Sequence, residues 1–367
     1  MTRALLALLL VLGQFPVAAA ARRRAVRHSP PAVAPAVIVA AARQAAEAAL
    51  TAGVPAVQIA VSEGGRIIYS EAFGISDKES ATAATPRSVM QIGSVTKQFA
   101  AAAILRLAER GALTLDDPIE KFVPEFNPRG ETITLRQLLS HRSGVPSSWW
   151  PPSGGFPLHA PVTREQVIAG INGQPLAFKP GSKWSYSNAG YMLVGYAIES
   201  IAGISFAEFV HREFALPLGL LDTGVCGTFG VPLPEGYGLS KAGELKRMQA
   251  LHSSGVIGDG SLCSTASDLA RWSHLLATGR VLLPASYATM TTRPAPVPAY
   301  GLGLDLRNIA GHPAVSHGGS IDGFQTYLIY FAHKEIAVAV ITNVFPSPTM
   351  DAENIALAVA SAAVNTP

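Results

Sequence analysis

The chain has 367 residues, with 28 Lys and Arg against 25 Asp and Glu and a formal net charge of +3. That surplus is too small to argue for nucleic acid, and the chain carries no Cys/His spacing of the zinc type. At 49% apolar residues it has ample material for a core, in one large or two small domains.

The first residues read as an export signal. Arg3 supplies the charge, residues 4–13 a short apolar run, and Ala18-Ala19-Ala20 a small-residue cleavage site. The run is about half of the ~20 residues needed to span a bilayer, so residues 1–20 are expected to be cleaved and not to anchor the protein. No cysteine lies near that site to carry a lipid. The expected product is secreted or periplasmic, without a stable membrane span. Residues 21–35, opening on Arg22-Arg23-Arg24 and rich in Pro and Ala, read as a basic linker.

Ala, Val and Ile spaced around Arg43, Gln44 and Glu47 predict an amphipathic helix over 36–50, ended near Gly53-Val54-Pro55. The runs 56–61 and 66–69, joined across Glu63-Gly64-Gly65, predict a hairpin. Gly93 then breaks the chain ahead of Ser94, and good helix formers follow through residue 110. A helix starting here puts Ser94 in its first turn and Lys97 three residues on, on the same face. A short helix over 135–139 runs into Ser140-His141-Arg142-Ser143-Gly144, where His141 reads as structural. The next loop holds Trp149, Trp150, Gly154, Gly155 and Phe156; its tryptophans either line a cleft or pack on the helices around them. Further helices are expected over 190–202 and 265–276, the latter opening on the cap-like Thr265-Ala266-Ser267-Asp268. Runs 324–331 and 336–342 predict a second hairpin, and 352–364 a closing helix.

Hairpins at both ends with helices between them predict an α/β (α+β) fold over residues 36–364. One antiparallel sheet is built from both chain ends and flanked by helices, with a mainly helical insertion over roughly 110–255. Cys226 and Cys263 either close a disulfide in an oxidising compartment or stay as two buried thiols.

An activated serine needs a base, a proton donor for the leaving group and donors for the oxyanion. A hydroxyl and an amine at the positive end of a helix dipole suit the first pair, Ser94 and Lys97. Tyr186 and Asn188 stand two apart after the turn Pro180-Gly181, so an extended segment would aim both at one cleft. In Val315-Ser316-His317-Gly318-Gly319-Ser320, two glycines let a substrate backbone come close. Each piece alone has a plain structural explanation: a helix-borne serine, a capped turn, a loop with a surface histidine.

Together and in this order, Ser94-Val95-Thr96-Lys97, Tyr186-Ser187-Asn188 and His317-Gly318-Gly319 resemble the three active-site motifs of serine β-lactamases and penicillin-binding proteins. The match is closest to the class C β-lactamase and D-alanyl-D-alanine carboxypeptidase branch with its related esterases. Leu138-Leu139-Ser140-His141-Arg142-Ser143-Gly144, Gly258-Asp259-Gly260-Ser261-Leu262 and Tyr300-Gly301-Leu302-Gly303 support it. The resemblance implies a β-lactamase/transpeptidase-like fold and a serine hydrolase acting on a small molecule or peptide, with no metal and no organic cofactor. It implies that Ser94 is acylated, that Lys97 takes its proton, and that Tyr186 moves a proton as a phenolate favoured by the lysine. Asn188 would bind the substrate and steady Lys97, and the backbone N–H groups of Ser94 and Ser320 would hold the oxyanion beside Gly318 and Gly319. The departure lies at His317-Gly318-Gly319, where many β-lactamases carry Lys-Thr-Gly to hold a carboxylate. A histidine with a reference pKa near 6.5 predicts a pH–rate limb from His317. The alternative is a non-catalytic penicillin-binding or cell-wall-binding protein of the same fold. Neither Gly-x-Ser-x-Gly nor His-Glu-x-x-His occurs, which disfavours an α/β-hydrolase and a metalloprotease.

Overall fold

The computed structural model describes residues 34–150, 158–230, 233–294, 299–347 and 351–366. The expected signal at 1–20 and residues 21–33 of the linker lie outside these, as do Gly154, Gly155 and Phe156.

Helix α1 (Ala36–Thr51) turns Ile38, Ala42, Ala46 and Ala49 inward at helical spacing. Strands β1 (Ala56–Glu63) and β2 (Arg66–Asp77) form the first hairpin across Gly64 and Gly65, both at positive φ. β2 runs well past residue 69, pairing with β1 as far as Gly74 opposite Ala56, although its half-exposed second half lacks the apolar run that marks its start. Short strands β3 (Thr82–Ala83) and β4 (Met90–Gln91) lead to a 3-10 turn, Gly93–Val95, and helix α2 (Thr96–Glu109). The middle holds α3 (Leu135–Leu139), α4 (Arg164–Asn172), α5 (Asn188–Ala202), α6 (Phe206–Val210) and α7 (Leu216–Leu218). Strands β5 (Gly224–Val225), β6 (Tyr237–Leu239), β7 (Leu245–Arg247) and β8 (Leu262–Ser264) follow, then α8 (Ala266–Ala277) and α9 (Pro284–Met290). The chain closes with β9 (Asp305–Ile309), β10 (His312–Ile321), β11 (Phe324–Phe331), β12 (Ile336–Thr342) and α10 (Ala352–Val364).

The main sheet runs β3-β2-β1-β12-β11-β10-β9, antiparallel throughout, so the two chain ends meet at β1 and β12 with Ala60 opposite Ala339. Both central strands are buried on both faces, and the pleat sorts their side chains by size. Ala60, Ala337 and Ala339 face the cluster containing α2 and α8, where Phe99 stacks on Trp272. Ile59, Val61, Val338 and Val340 face the alanine-rich inner sides of α1 and α10. The buried Gln58 stitches β1 to α8: its amide donates to the Thr85 and Ser88 carbonyls and its oxygen accepts from Ala266 N–H.

Two features of this frame set the site. Pairing of β10 with β9 ends at Ser316 opposite Asp305, so among the described residues Gly318, Gly319 and Ser320 pair only with β11. Beneath the nucleophile turn, β8 lies between β4 and β5, and a disulfide joins Cys226 to Cys263 with their Cα atoms 5.0 Å apart. Cys263 is also the residue opposite Gln91, so the bridge braces the strand that leads to Ser94. Closing a loop of this length removes about 4 kcal/mol of unfolded-chain entropy on the simplest model. Among the described residues no single helix is long and apolar enough to cross a membrane.

Candidate active site

Ser94 sits in the 3-10 turn, half-buried, two residues before α2, and Lys97 projects from the first turn of that helix. Lys97 has no solvent exposure. Its Nζ lies 2.9 Å from Ser94 Oγ, 2.8 Å from Asn188 Oδ1 and 3.0 Å from the Asp259 carbonyl. Neither the amide oxygen nor the carbonyl can donate, so both must receive hydrogens from the lysine. As an ammonium the lysine donates its third hydrogen to Ser94 Oγ; as the neutral amine it has two hydrogens and one lone pair, and the lone pair is left for Ser94 O–H. In the neutral form the lysine is thus a base already in contact with the proton it removes.

Burial pushes the Lys97 amine down to about 8, with the Asp259 carboxylate pulling in the other direction. Asp259 is itself raised to about 7 by burial, against the attraction of Lys97. Its Oδ1 is buried without a hydrogen-bond partner among the described residues. Sequence reading passed over Asp259, since an aspartate between two glycines looks like an ordinary turn residue.

Tyr186 and Asn188 do face one cleft, though not from a strand. Ser187 caps α5 by accepting from Gly190 N–H, Asn188 is the first helical residue, and the junction turns both neighbours toward Lys97. Lys97 Nζ lies 4.8 Å from the Tyr186 ring centre. The expected phenolate is overturned: burial raises the Tyr186 pKa far above 10, and the Asp259 and Asp305 charges add to it, although the Ser94 hydroxyl opposes. Tyr186 is thus held as a proton-carrying phenol facing Ser94.

Close approach of two backbones forms the remaining wall. A Cβ on Gly319 would collide with the Ile92 carbonyl and stand 3.1 Å from Ser94 N, and one on Gly93 would lie 2.9 Å from Ser320 N. Only glycine at both places lets the Ser94 and Ser320 N–H groups come to the same corner. Gly318 and Ser320 line the cleft, with Gly319 between them turned to the Ser94 turn.

His317 is buried in a chain of hydrogen bonds whose directions can be assigned. Ser187 N–H donates to His141 Nδ1 at 3.1 Å, so His141 carries its proton on Nε2, 3.2 Å from Tyr300 Oη. Tyr300 Oη is in turn 3.0 Å from His317 Nε2, and His317 Nδ1 donates to the Gly318 carbonyl at 2.6 Å. Two neutral imidazoles and one phenol satisfy every link. Burial and the nearby Lys97 push His317 down to about 3 and His141 well below its usual range. The pH limb expected of His317 is therefore corrected: desolvation keeps the ring neutral across the working range. In His317→Gln the acidic limb of kcat/KM is expected to stay within about half a pH unit of its parent position; a limb lost in that variant would restore the histidine as the titrating group. Tyr300, the centre of this chain, was noticed only as part of a glycine-rich stretch.

Ser94, Tyr186, Asn188, Tyr300 and His317 line an open cleft of about 480 Å³ that also reaches Trp184, Asp305, Arg307, Tyr327 and Glu353. Trp149 is not among them: it is fully buried in the core and donates from Nε1 to the Gly255 carbonyl at 2.8 Å, with Trp150 packed edge-on against it. The packing alternative holds for Trp149. His141 supports the wall, in keeping with its structural reading.

Residues 41–363 match the protein-family model described as Beta-lactamase. The chain belongs to the β-lactamase family. It is 27% identical over 303 residues to penicillin-binding protein 4* of Bacillus subtilis, covering 76% of this chain and 66% of that protein. The chain spans 68% of a second curated relative from Bacillus subtilis and 34% of the protein flp of Staphylococcus aureus. Among solved structures it superposes on the penicillin-binding protein homologue from Pyrococcus abyssi with a TM-score of 0.78 and 28% identity, over 90% of this chain and 78% of that one. A D-stereospecific amidohydrolase from Streptomyces aligns with a TM-score of 0.74 and 28% identity, over 86% and 96%. This β-lactamase-family chain has a mixed α/β fold, its antiparallel sheet flanked by helices.

Proposed function

We propose that the protein is an exported hydrolase that cleaves an amide or ester of a small molecule or short peptide through an acyl-enzyme on Ser94. The observation that carries this reading is the 2.9 Å contact between Ser94 Oγ and a buried Lys97 Nζ whose two hydrogens are committed elsewhere. As Oγ attacks the carbonyl carbon, neutral Lys97 takes the hydroxyl proton and the carbonyl π pair moves onto oxygen. The Ser94 and Ser320 N–H groups receive that oxyanion; losing such a donor typically costs about 3 to 4 kcal/mol. Tyr186 gives its proton to the leaving nitrogen or oxygen as the bond breaks, and recovers one from the Lys97 ammonium. Water then attacks the acyl ester with the same groups working in reverse, and Ser94 regains its proton. Asn188 holds the amine through Oδ1 and keeps its NH2 free for a substrate carbonyl.

With His317 neutral and no hydroxyl at Gly318, the wall lacks the cation and hydroxyl that hold a β-lactam carboxylate in many relatives. That weighs against efficient β-lactam hydrolysis and favours an esterase, a peptidase or an amidase, the class to which the Streptomyces amidohydrolase belongs by name. Stopped-flow mixing with a p-nitrophenyl ester is expected to give a burst of about one nitrophenol per chain and then steady turnover. A burst with no turnover would make this a binding protein of the family; neither phase would remove Ser94 as nucleophile.

A further inference from the structure

The cleft does not end at the nucleophile. Beyond the one-sided stretch of β10 it continues to a corner formed by the starts of β9 and α10, lined by Asp305, Arg307, Tyr327 and Glu353. Arg307 and Glu353 are occupied with each other: Nη1 lies 2.5 Å from Oε1, and the same guanidinium donates to Tyr327 Oη. Asp305 has no such partner. Among the described residues it makes no side-chain hydrogen bond to a cation, and Arg307 acts on it only through its field.

Its position is fixed on both sides, since it pairs with Ser316 on β10 and bridges back to Tyr300. It lines the same cleft as Ser94, Tyr186 and Tyr300, and its charge acts on both tyrosines. Burial raises the carboxyl to about 6, so it is mostly ionised at neutral pH. One cation and two carboxylates thus line this corner, while the third motif, where relatives carry a lysine, contributes a neutral histidine. A substrate carboxylate finds no uncommitted cation among the described lining residues. A substrate ammonium finds a half-desolvated carboxylate that gains a charge-assisted hydrogen bond.

We infer that Asp305 forms a subsite for an ammonium group, so that the substrate is an amide or ester carrying a free amine. The inference rests on the acyl-enzyme reading above and names its substrate class. It separates an amino-terminal peptidase or amino-acid amidase from a carboxypeptidase, whose substrate would bring a carboxylate to this cleft.

The test compares alanine p-nitroanilide of each hand with its N-acetyl and N-succinyl derivatives at pH 7. Cleavage is read by nitroaniline release, and Ser94 acylation by intact mass. For the preferred hand, the free amine is expected to exceed the N-acetyl form at least tenfold in kcat/KM or acylation rate, with the N-succinyl form slowest. The ratio is taken within each variant, so a general loss of activity cancels. In Asp305→Asn it is expected to fall to between one and three, and in Arg307→Gln to be kept or increased. Ser94 acylation at equal rates by amine and N-acetyl donors would overturn the inference alone. So would a preference that survives Asp305→Asn, or a preference for the N-succinyl form that is lost in Arg307→Gln. No acylation by any donor, p-nitrophenyl acetate included, would overturn the parent reading and this one with it.

Discussion

Ser94→Ala is expected to abolish labelling by a fluorescent acylating probe and to lower kcat on any cleaved ester by roughly five to six orders of magnitude, the scale seen when a serine nucleophile is removed. The size follows from the arrangement. Lys97, Tyr186 and the two N–H donors all act on a bond made by Ser94 Oγ, so without the hydroxyl they have nothing to act on. The substitution removes one oxygen from a half-buried turn whose backbone contacts come from Ile92 and Ser320, so the fold should be retained. Thermal melting within a few degrees of the parent checks that. Equal probe labelling of parent and variant would remove Ser94 from the mechanism.

The second large effect belongs to Lys97. Lys97→Met fills similar space without a base and is expected to lower kcat/KM by roughly a hundred- to ten-thousand-fold. The parent's pH profile gives the sign. Lys97 works as the neutral amine, and its pKa is depressed to about 8, so kcat/KM should rise as pH passes upward through that value and fall below it. Asp259 raises the lysine's pKa, so in Asp259→Asn the limb should move toward lower pH. A limb that stays in place would take Asp259 out of the base's environment, and a limb that survives in Lys97→Met would assign it to another group.

Much of this site is legible in the chain because its motifs are local. Ser94 and Lys97 share a helix face through i,i+3 spacing, Tyr186 and Asn188 flank a single cap, and Gly318-Gly319 marks a strand that something must approach. The hairpins at both ends likewise declare themselves through short apolar runs around glycine or charged turns. The misreadings share one cause. The sequence suggests a titrating imidazole at His317 and a phenolate at Tyr186 favoured by the lysine, whereas both side chains are buried, and burial moves an imidazole down and a phenol up. The roles of Asp259 and Tyr300 are not legible locally, because Lys97 and His141, the groups they meet, lie far away along the chain. Lys97 is 162 residues from Asp259, and His141 is 159 from Tyr300.

By itself the sequence determined the two end hairpins, the helices that open and close the domain and the one behind Ser94, the pair that reacts, and the glycines that let two backbones meet, since each depends on neighbours a few residues apart. Tertiary structure alone decided that Cys226 and Cys263 pair, that Trp149 belongs to the core, and which protons sit where in the His141–Tyr300–His317 chain. It also decided that Lys97 is poised as a base. The reason is physical: the charge state of a group depends on how much water and which charges the folded chain leaves around it, and no local pattern records that.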